Sequence, residues 1–490
     1  MAPPVPYRQA VESHTVPSGT RHPPAVDDHP VTPQSAARQH ASAIDWEGAL
    51  WSCIAHLQAL IRMDTVNPPG QEISVARYLD DVLRGAGIET TLVEPDPGRA
   101  AVIARLRGTG GARPVLLLAH MDVVGVERDK WTTKPFGAEI LDGFVYGRGA
   151  IDDKGMLATN LQAMLLLNEY VVRAGGSLDR DVVFVATSDE EAGGKFGIDW
   201  VLSHHGDLLD AEFALNEGGR IRQAGGRVAY AAIQCGEKIP CVLEMTATGS
   251  PGHASIPTPG NAVVRLARAV AIAGEHAEPV VVTNVVRDYF AGLSAFWPDA
   301  SPAQAMADVA SGDAERVERG AVILRAHPRF DAVLRNGIAP TMLSAGVRAN
   351  VIPGTASATL NVRLIPGQSL DDLVGRLRAA IDDTAVDITV LSRGGEAPAT
   401  PTGTPMYRAI VDAVAALAPG VPSVPFLSTG ATDSASLRRA GVQAYGLLPF
   451  PLTESDEARM HGHDERVAVQ SLEFAVRLTW DILHRVAVPA

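Results

Sequence analysis

Histidine and carboxylate residues recur where apolar stretches of the sequence end. The first such motif is His120-Met121-Asp122, in which a carboxylate follows a histidine by two residues. A carboxylate that accepts the imidazole N–H fixes the tautomer and makes the histidine a better metal ligand. The motif is short enough to arise by chance or to serve a core role, so its meaning depends on the others.

Two acidic motifs share this setting. Asp152 and Asp153 lie in the glycine-rich stretch 147–155, and glycine permits a tight backbone where a side chain must approach a buried centre. The stretch lacks the GxxxxGK[ST] pattern of a phosphate-binding loop. Glu190 and Glu191 follow an apolar run, and adjacent carboxylates favour a compensating cation. Each motif by itself is also compatible with a polar, solvated turn.

Two further motifs complete the set of metal-type ligands. Glu217 lies in 216–219, which we expect to form a turn, and a pair of histidines lies near the C-terminus. Together the motifs contribute His120, Asp152, Glu191, Glu217 and His461 as ligands. All five offer nitrogen or oxygen donors and none is a thiolate, which indicates zinc, cobalt or manganese instead of a cysteine-type structural zinc site.

The number of carboxylates predicts how many metal ions the site holds. Three carboxylates and one bridging hydroxide carry four negative charges, which matches two divalent cations. Two such ions about 3.5 Å apart can share a carboxylate and a hydroxide. We therefore expect two metal ions per chain, Zn²⁺ first, with Co²⁺ or Mn²⁺ as alternatives. Glu190 stays outside the ligand set and is free to act as a general base.

The elements that must position these residues follow an α/β pattern. Apolar strands are predicted at 101–106, 114–120 and 181–190, and a helix at 157–175 separates the last two. Apolar strands alternating with helices indicate a mostly parallel central sheet that is flanked by helices. Ligand sites in such sheets lie beyond the carboxyl ends of the strands, where the motifs fall.

A second, smaller domain is predicted to interrupt the first. Its strand and helix order is typical of a ferredoxin-like α+β fold, with strands at 344–354 and 355–367 among its members. The predicted divisions are a flexible Pro- and His-rich arm at 1–44, a catalytic domain at 45–237 and 398–490, and a lid domain at 238–397 with a helical insert at about 275–339.

Composition excludes several classes of protein. The 490 residues include 42 basic and 56 acidic side chains, and a net charge of −14 argues against a nucleic-acid partner. No apolar run is long enough to span a bilayer, and the N-terminus lacks a signal-peptide pattern. The three cysteines have no metal-type spacing, so we expect buried, reduced thiols in a cytoplasmic protein without a membrane partner. The GxSxG motif of serine hydrolases is absent.

From about Trp46 to the C-terminus, the sequence resembles the co-catalytic zinc aminoacylase and carboxypeptidase family. That family includes glutamate carboxypeptidase, succinyl-diaminopimelate desuccinylase, acetylornithine deacetylase and carboxypeptidase S. The motifs HMDVV, GRGAIDDKG, SDEEAGG, NEGG, PGHAS and HGHDE occur in the family's order. The long insert resembles the carboxypeptidase S branch.

The resemblance implies an activity and a role for each metal-site residue. The activity is hydrolysis of an amide bond in an N-acyl amino acid or dipeptide-like substrate with a free carboxylate, by a metal-bridging hydroxide. It implies that His120, Asp152 and Glu217 bind one metal ion. Asp152 would bridge to a second metal ion, which Glu191 and His461 also bind. Asp122 would orient His120, and Glu190 would act as the general base. The Asp152–Asp153 peptide is expected to be cis.

The resemblance also implies roles within the lid and a neighbouring loop. His253 would stabilise the oxyanion, and in the family's dimers it comes from the partner chain, so a homodimer through the lid is an implied partner. Asn350 and Arg363 would hold the substrate carboxylate, and an arginine suits bidentate binding of such a group. Gly430 would donate a backbone N–H. The HGHDE motif carries a second histidine, His463, and His461 is favoured as the ligand.

Two alternative functions remain at the level of sequence. One is an aminopeptidase of a related clan, although such an enzyme needs an acidic anchor for the substrate amine. The other is a non-catalytic module that binds a metal or a peptide, which the complete set of ligands and base argues against. Within the favoured reading, the insert and the carboxypeptidase S likeness favour an apolar acyl half.

Overall fold

The computed structural model describes residues 44–257 and 259–489. The arm predicted at 1–44 therefore lies outside the described residues, except for its last one. No helix within these described ranges combines the length and the apolar character needed to cross a bilayer. Cys53, Cys235 and Cys241 are buried and unpaired, as predicted.

An eight-stranded sheet forms the centre of the larger domain. In spatial order its strands are β1 (Glu89–Asp96), β2 (Arg99–Leu106), β6 (Val182–Thr187), β3 (Val115–His120), β7 (Phe213–Ala224), β16 (Gln443–Leu452), β8 (Arg227–Glu237) and β15 (Ser423–Ser428). β3 runs parallel to β6 and β7, and β7 runs parallel to β16, while β1 and β2 form an antiparallel edge. The predicted α/β class with a parallel core is confirmed.

Helices cover both faces of this sheet because its central strands are apolar on both sides. Leu117 of β3 packs into one core, whereas Leu116 and Leu118 pack into the core on the opposite face. The covering helices are α1 (Trp46–Arg62), α2 (Ile73–Gly85), α3 (Lys154–Arg173), α4 (Ile198–His205), α11 (Pro405–Leu417), α12 (Ser434–Arg439) and α14 (Val469–Ala487). A four-residue helix, α13 (Glu454–Glu457), follows β16 in the chain. A small sheet of β4 (Ile140–Leu141), β5 (Phe144–Tyr146) and β17 (Arg466–Ala468) lies beside them.

The lid is a four-stranded antiparallel sheet with two helices. Its strands, in spatial order, are β11 (Gly337–Ala345), β13 (Thr355–Leu364), β9 (Ile239–Thr248) and β14 (Val386–Arg393), and its helices are α5 (Ala262–Glu275) and α10 (Leu370–Ile381). Read by position in the chain, the strand order is second, third, first, fourth, which is the ferredoxin-like arrangement. The chain passes from the large sheet to the lid sheet between Glu237 and Ile239.

The strand predicted at 344–354 is wrong in its bounds. β11 ends at Ala345, and the backbone turns at Gly346, whose φ of 62° lies in the left-handed region that glycine adopts without steric cost. A two-residue strand, β12 (Val351–Ile352), follows and pairs with β10 (Gly252–His253). The turn at Gly346 therefore divides the stretch predicted as one strand into the end of β11 and the separate strand β12.

The helical insert packs against the large sheet. It comprises α6 (Asn284–Ser294), α7 (Ala300–Ala310), α8 (Ala314–Leu324) and α9 (Pro328–Leu334). Phe290 of α6 is fully buried and shares an apolar core with Val424 and Leu427 of β15. The insert interrupts the lid in sequence, but its buried apolar residues pack against β15 at the edge of the large sheet.

Candidate metal centre

The carboxyl ends of three neighbouring strands bring the acidic motifs to one place. His120 is the last residue of β3, and Glu190 and Glu191 lie in a 3-10 turn that follows β6. Glu217 lies within β7, so the turn predicted at 216–219 is wrong. The strand instead has an irregular register with β16 at these glycines. The two backbones approach closely there, since a Cβ on Gly219 would lie 2.1 Å from the carbonyl oxygen of Gly446 in β16.

The two carboxylate oxygens of Asp152 face two imidazoles. His120 Nε2 lies 3.1 Å from Asp152 Oδ1, and His461 Nε2 lies 3.1 Å from Asp152 Oδ2. His461 Nε2 is also 3.2 Å from Glu191 Oε1. A carboxylate between two imidazoles is the arrangement that a bridging ligand requires.

Four of the five predicted ligands, together with the predicted base Glu190, fall into two overlapping groups. Potential ligand atoms of His120, Asp152 and Glu191 lie within 4.8 Å of one another, and the same holds for His120, Glu190 and Glu217. His463 lies outside both groups, with its Nε2 3.5 Å from Glu127 Oε2. The tertiary structure thus places His461, and not His463, beside the other ligands.

The electrostatics of this cluster suit a bound cation. Burial, together with the neighbouring Asp152, raises the pKa of Glu217 to about 8, and burial with Glu217 raises the pKa of Glu190 well above its usual range. Burial also disfavours ionised Asp152, but hydrogen bonds from the two imidazoles outweigh it and lower its pKa. A cation among these groups would keep the carboxylates ionised. The nitrogen and oxygen donors therefore fit divalent metal ions of the zinc, cobalt and manganese type.

Asp122 connects His120 to the turn that carries Glu190 and Glu191. Its two oxygens accept the backbone N–H groups of Glu190 and Glu191, each at 3.1 Å. Asp122 Oδ1 also lies 3.4 Å from His120 Nδ1, which points at the Asp122 carbonyl oxygen at 3.0 Å. Asp122 is fully buried, so it holds both the imidazole and the turn in a fixed geometry.

Glu465 holds the loop that presents Asp152. Its carboxylate accepts the backbone N–H groups of Gly149, Ile151 and Asp152 at 2.7–3.0 Å, and Arg148 Nη1 donates to it at 2.6 Å. Glu465 is fully buried, and the sequence analysis missed it. Its position directly after the HGHD histidine motif was the signal. The Asp152–Asp153 peptide is cis, as the resemblance implied.

A cavity of about 1110 Å³ opens onto the cluster and reaches both the lid and the insert. Arg363 of the lid lines it, as do Tyr289, Arg329 and Phe330 of the insert. Gly430 also lines it, and in this structure its N–H donates to Ser428 Oγ at 3.2 Å. The cavity therefore brings together the metal cluster, an arginine and one predicted loop glycine.

Two predicted site residues lie elsewhere. His253 is exposed on the lid, where its Nδ1 lies 2.7 Å from Ser255 Oγ. The N–H of Ala254 donates to the carbonyl oxygen of Asn350 at 3.0 Å, so Asn350 lies beside it. Neither residue lines the cavity of its own chain.

Comparisons with known proteins agree on one family. Peptidase family M20/M25/M40 matches residues 116–485. An N-fatty-acyl-amino acid synthase/hydrolase, PM20D1, from Xenopus tropicalis is 29% identical over 371 residues, covering 74% of this chain and 70% of the relative. A probable carboxypeptidase S-like protein of Dictyostelium discoideum is 28% identical, covering 76% and 71%. The M20 family metallo-carboxypeptidase Sso-CP2 of Sulfolobus solfataricus superposes with a TM-score of 0.65 at 19% identity, covering 88% and 98%.

Replacing Glu465 by alanine is expected to destabilise the protein and weaken metal binding. The change leaves the buried Arg148 guanidinium and three backbone N–H groups without their acceptor, which costs about 3–5 kcal/mol of unfolding free energy. Urea denaturation and metal titration measure the two effects. The control is Glu473→Ala, which removes a surface pair with Arg477 and should stay within about 0.5 kcal/mol of wild type. Equal stability of the two variants would contradict the assigned role.

Proposed function

The chain belongs to peptidase family M20/M25/M40, and from this premise we propose that it hydrolyses the amide bond of N-acyl amino acids that carry a free carboxylate. Two divalent metal ions, most simply Zn²⁺, would assist. The observation that carries the proposal is the single cavity that joins the His-carboxylate cluster to Arg363. A hydrolytic centre and a carboxylate anchor in one cavity suit this class of substrate.

Arg363 is well suited to bind the carboxylate. Its Nε donates to Asn361 Oδ1 at 3.1 Å, and it forms no ion pair with any described residue. A guanidinium without an acidic partner is available for two parallel hydrogen bonds to a substrate carboxylate. Lys238 also lines the cavity, and burial lowers the pKa of its ammonium group to about 8.

The reaction would use the cluster as follows. Metal ions held by His120, Asp152, Glu191, Glu217 and His461 would polarise the scissile carbonyl and acidify a water molecule. Glu190 would take the proton from the attacking water and return it to the leaving nitrogen. Asp122 would keep Glu190 in place by accepting the backbone N–H of Glu190. Glu190 would therefore carry the proton, and Asp122 would hold the turn that contains Glu190.

The insert favours an apolar acyl half. Tyr289 and Phe330 from the insert and Phe426 from β15 share the cavity wall, and aromatic side chains bind alkyl groups by burying apolar area. The PM20D1 relative is named for N-fatty-acyl amino acids. We propose an apolar acyl chain lying against this wall.

The cavity gives less support to the alternative functions. An aminopeptidase needs a free carboxylate to bind the substrate amine, but Glu237 is paired with Arg438 and Glu457 with Arg222 and Arg329. A non-catalytic module has no need of Glu190 beside five ligand residues. Hydrolysis of an acylated amino group therefore fits these side chains better.

A second copy of the chain would complete the site. His253 and Asn350 lie together on the lid and outside the cavity of their own chain, so we propose that a partner subunit supplies them in a homodimer.

The buried, unpaired cysteines favour a reducing compartment, and we propose a cytoplasmic location on that basis.

The direct test of the function measures amine release from a panel of N-acyl amino acids and dipeptides. Zinc-loaded protein and a chelator-treated sample are compared. Chelator-sensitive release that requires a free carboxylate on the substrate supports the proposal. Release of N-terminal residues from unblocked peptides would favour the aminopeptidase, and bound metal without any turnover would favour the binding module.

Replacing Glu190 by glutamine is expected to lower kcat by about 10²- to 10⁴-fold, because the variant cannot take a proton from water. Bound metal, measured by atomic emission, should stay at the wild-type content. The control variant Glu473→Gln changes a half-buried glutamate of α14 that pairs with Arg477 and does not line the cavity, so it should keep wild-type kcat. Near-normal turnover in the Glu190 variant would rule out its role as base.

Replacing Arg363 by methionine is expected to raise KM by about 10- to 100-fold for substrates with a free carboxylate, since charged hydrogen bonds are lost. The matched control is a substrate whose carboxylate is replaced by a carboxamide, for which the variant and the wild type should differ little. An equal loss for both substrates would show that Arg363 acts on the fold instead of the carboxylate.

Mixing two inactive variants is expected to restore activity if subunits share the site. A His253→Ala chain keeps its own metal cluster and base, and a Glu190→Gln chain can lend it the missing histidine. With random exchange, half of the dimers are mixed and each has one complete site, so activity should recover to roughly a quarter of wild type. No recovery after exchange is verified would contradict the shared site.

A further inference from the structure

The proposed reaction leaves one sequence motif unused, the run Asn67-Pro68-Pro69-Gly70 between α1 and α2. We call residues 64–72 the NPPG loop. Its first part runs alongside the segment that carries Asp122. The N–H of Asn67 donates to the Val123 carbonyl at 2.9 Å, and the N–H of Val123 donates to the Thr65 carbonyl at 3.1 Å. This pairing places the Asn67 side chain directly beside Asp122.

The Asn67 amide joins two buried carboxylates. Its Nδ2 donates to Asp122 Oδ2 at 2.8 Å and to Asp189 Oδ1 at 3.1 Å. Asn67 is 6% exposed and Asp189 is 3% exposed, so water provides little screening between the two acids. The Asn67 amide therefore links Asp122 to Asp189, and Arg99 Nη1, 3.4 Å from Asp189 Oδ1, holds the second carboxylate as well.

Arg99 and Glu72 fix the orientation of that amide. Arg99 Nη2 donates to Asn67 Oδ1 at 2.7 Å, and Arg99 Nη1 donates to Glu72 Oε1 at 2.7 Å. A flipped amide would turn its NH₂ group toward the guanidinium, where no acceptor exists. Gly70 permits this packing, since a Cβ at that position would lie 2.1 Å from Arg99 Nη1. The NPPG loop thus closes around the guanidinium.

Asp122 and Asp189, the two carboxylates that Asn67 joins, both accept backbone N–H groups of the segment that contains Glu190 and Glu191. Asp122 accepts the N–H groups of Glu190 and Glu191, as described above. Asp189 precedes Glu190 with a positive φ of 66°, and its Oδ2 accepts the N–H of Phe196 at 3.0 Å. A shift of either carboxylate would move the base and its neighbouring ligand together.

We infer that Asn67, held by Arg99 and Glu72, is a positioning residue that sets the geometry of Glu190 and Glu191 through Asp122 and Asp189. The inference rests on the proposed function for the role of Glu190 as base. It assigns a task to the NPPG loop that neither the ligand set nor the cavity explains.

The test uses the full chain loaded with Co²⁺, whose visible absorption reports ligand geometry. Asn67→Ala is expected to lower Co²⁺ affinity by about 10- to 100-fold, change the absorption spectrum and lower kcat by a similar factor, with KM within about twofold of wild type. An unchanged Co²⁺ spectrum would overturn the inference, whatever the value of kcat.

A matched control separates positioning from loss of a buried ion pair. Arg105 lies on β2, the strand that Arg99 begins, and donates to Asp181 at 2.9 Å and to the Leu208 carbonyl at 2.8 Å. Arg99→Met should reproduce the spectral change, whereas Arg105→Met should leave the spectrum and kcat unchanged. Arg99→Lys keeps the charge and should recover part of the affinity. Identical spectra for the two methionine variants would overturn the inference.

A double substitution tests whether Asn67 acts through Asp122. In an Asp122→Asn background, Asn67→Ala should lower Co²⁺ affinity by less than about threefold further, because the group it positions has already changed. Full additivity would contradict the inference. Metal binding needs no substrate, so a changed spectrum without amide hydrolysis would reject the proposed function alone. Amide hydrolysis with an unchanged Asn67→Ala spectrum would reject the positioning role alone.

Discussion

The structure depends on one constraint, the crowding of buried carboxylates around His120. Like charges in a low-dielectric site repel one another, and each must be held by hydrogen-bond donors or by a cation. Asp152 lies between two imidazoles, Glu465 is held by three backbone N–H groups and Arg148, and Asp122 is held by two backbone N–H groups. Each of these buried acids is therefore held by its own set of donors, imidazoles for Asp152 and mainly backbone N–H groups for Glu465 and Asp122.

Strand geometry explains why the crowding occurs at this point. β3, β6 and β7 are parallel and adjacent, so the segments that follow them leave the sheet at one edge. The strands themselves are buried on both faces, which confines polar groups to their ends. The irregularity at Gly218 and Gly219 turns β7 so that Glu217 joins the group while the strand continues to Ala224.

The lid and the insert divide the remaining walls of the cavity. The lid contributes Arg363 through β13, and the insert contributes aromatic side chains through helices anchored on β15. An insert fixed to the catalytic sheet keeps its wall in place relative to the metal cluster. Arg363, by contrast, belongs to a domain that the chain enters at Lys238 and leaves after Arg393. The walls of the cavity and the metal-type cluster thus come from different parts of the chain.

The prediction of the fold succeeded where local pattern is decisive. Continuous apolar runs such as 114–120 predicted buried parallel strands, and the strand and helix order predicted the ferredoxin-like lid. It failed at 216–219, where a turn was predicted and the glycines form a strand irregularity, and at 344–354, where a strand was predicted and Gly346 forms a turn; neighbouring strands decide both cases. Asn67, Arg99 and Glu465 were missed for a related reason. Their importance depends on side chains that are distant in sequence.

The sequence by itself indicated the class of chemistry, since nitrogen and oxygen donors near strand ends suit a divalent metal site. It also determined the family, because six motifs occur in order. Only the tertiary structure decided which histidine faces Asp152, which residues hold each acid and which lid residues reach the cavity. Residue types fix the ligands a chain can offer, whereas orientation and burial depend on contacts between segments that the sequence keeps apart.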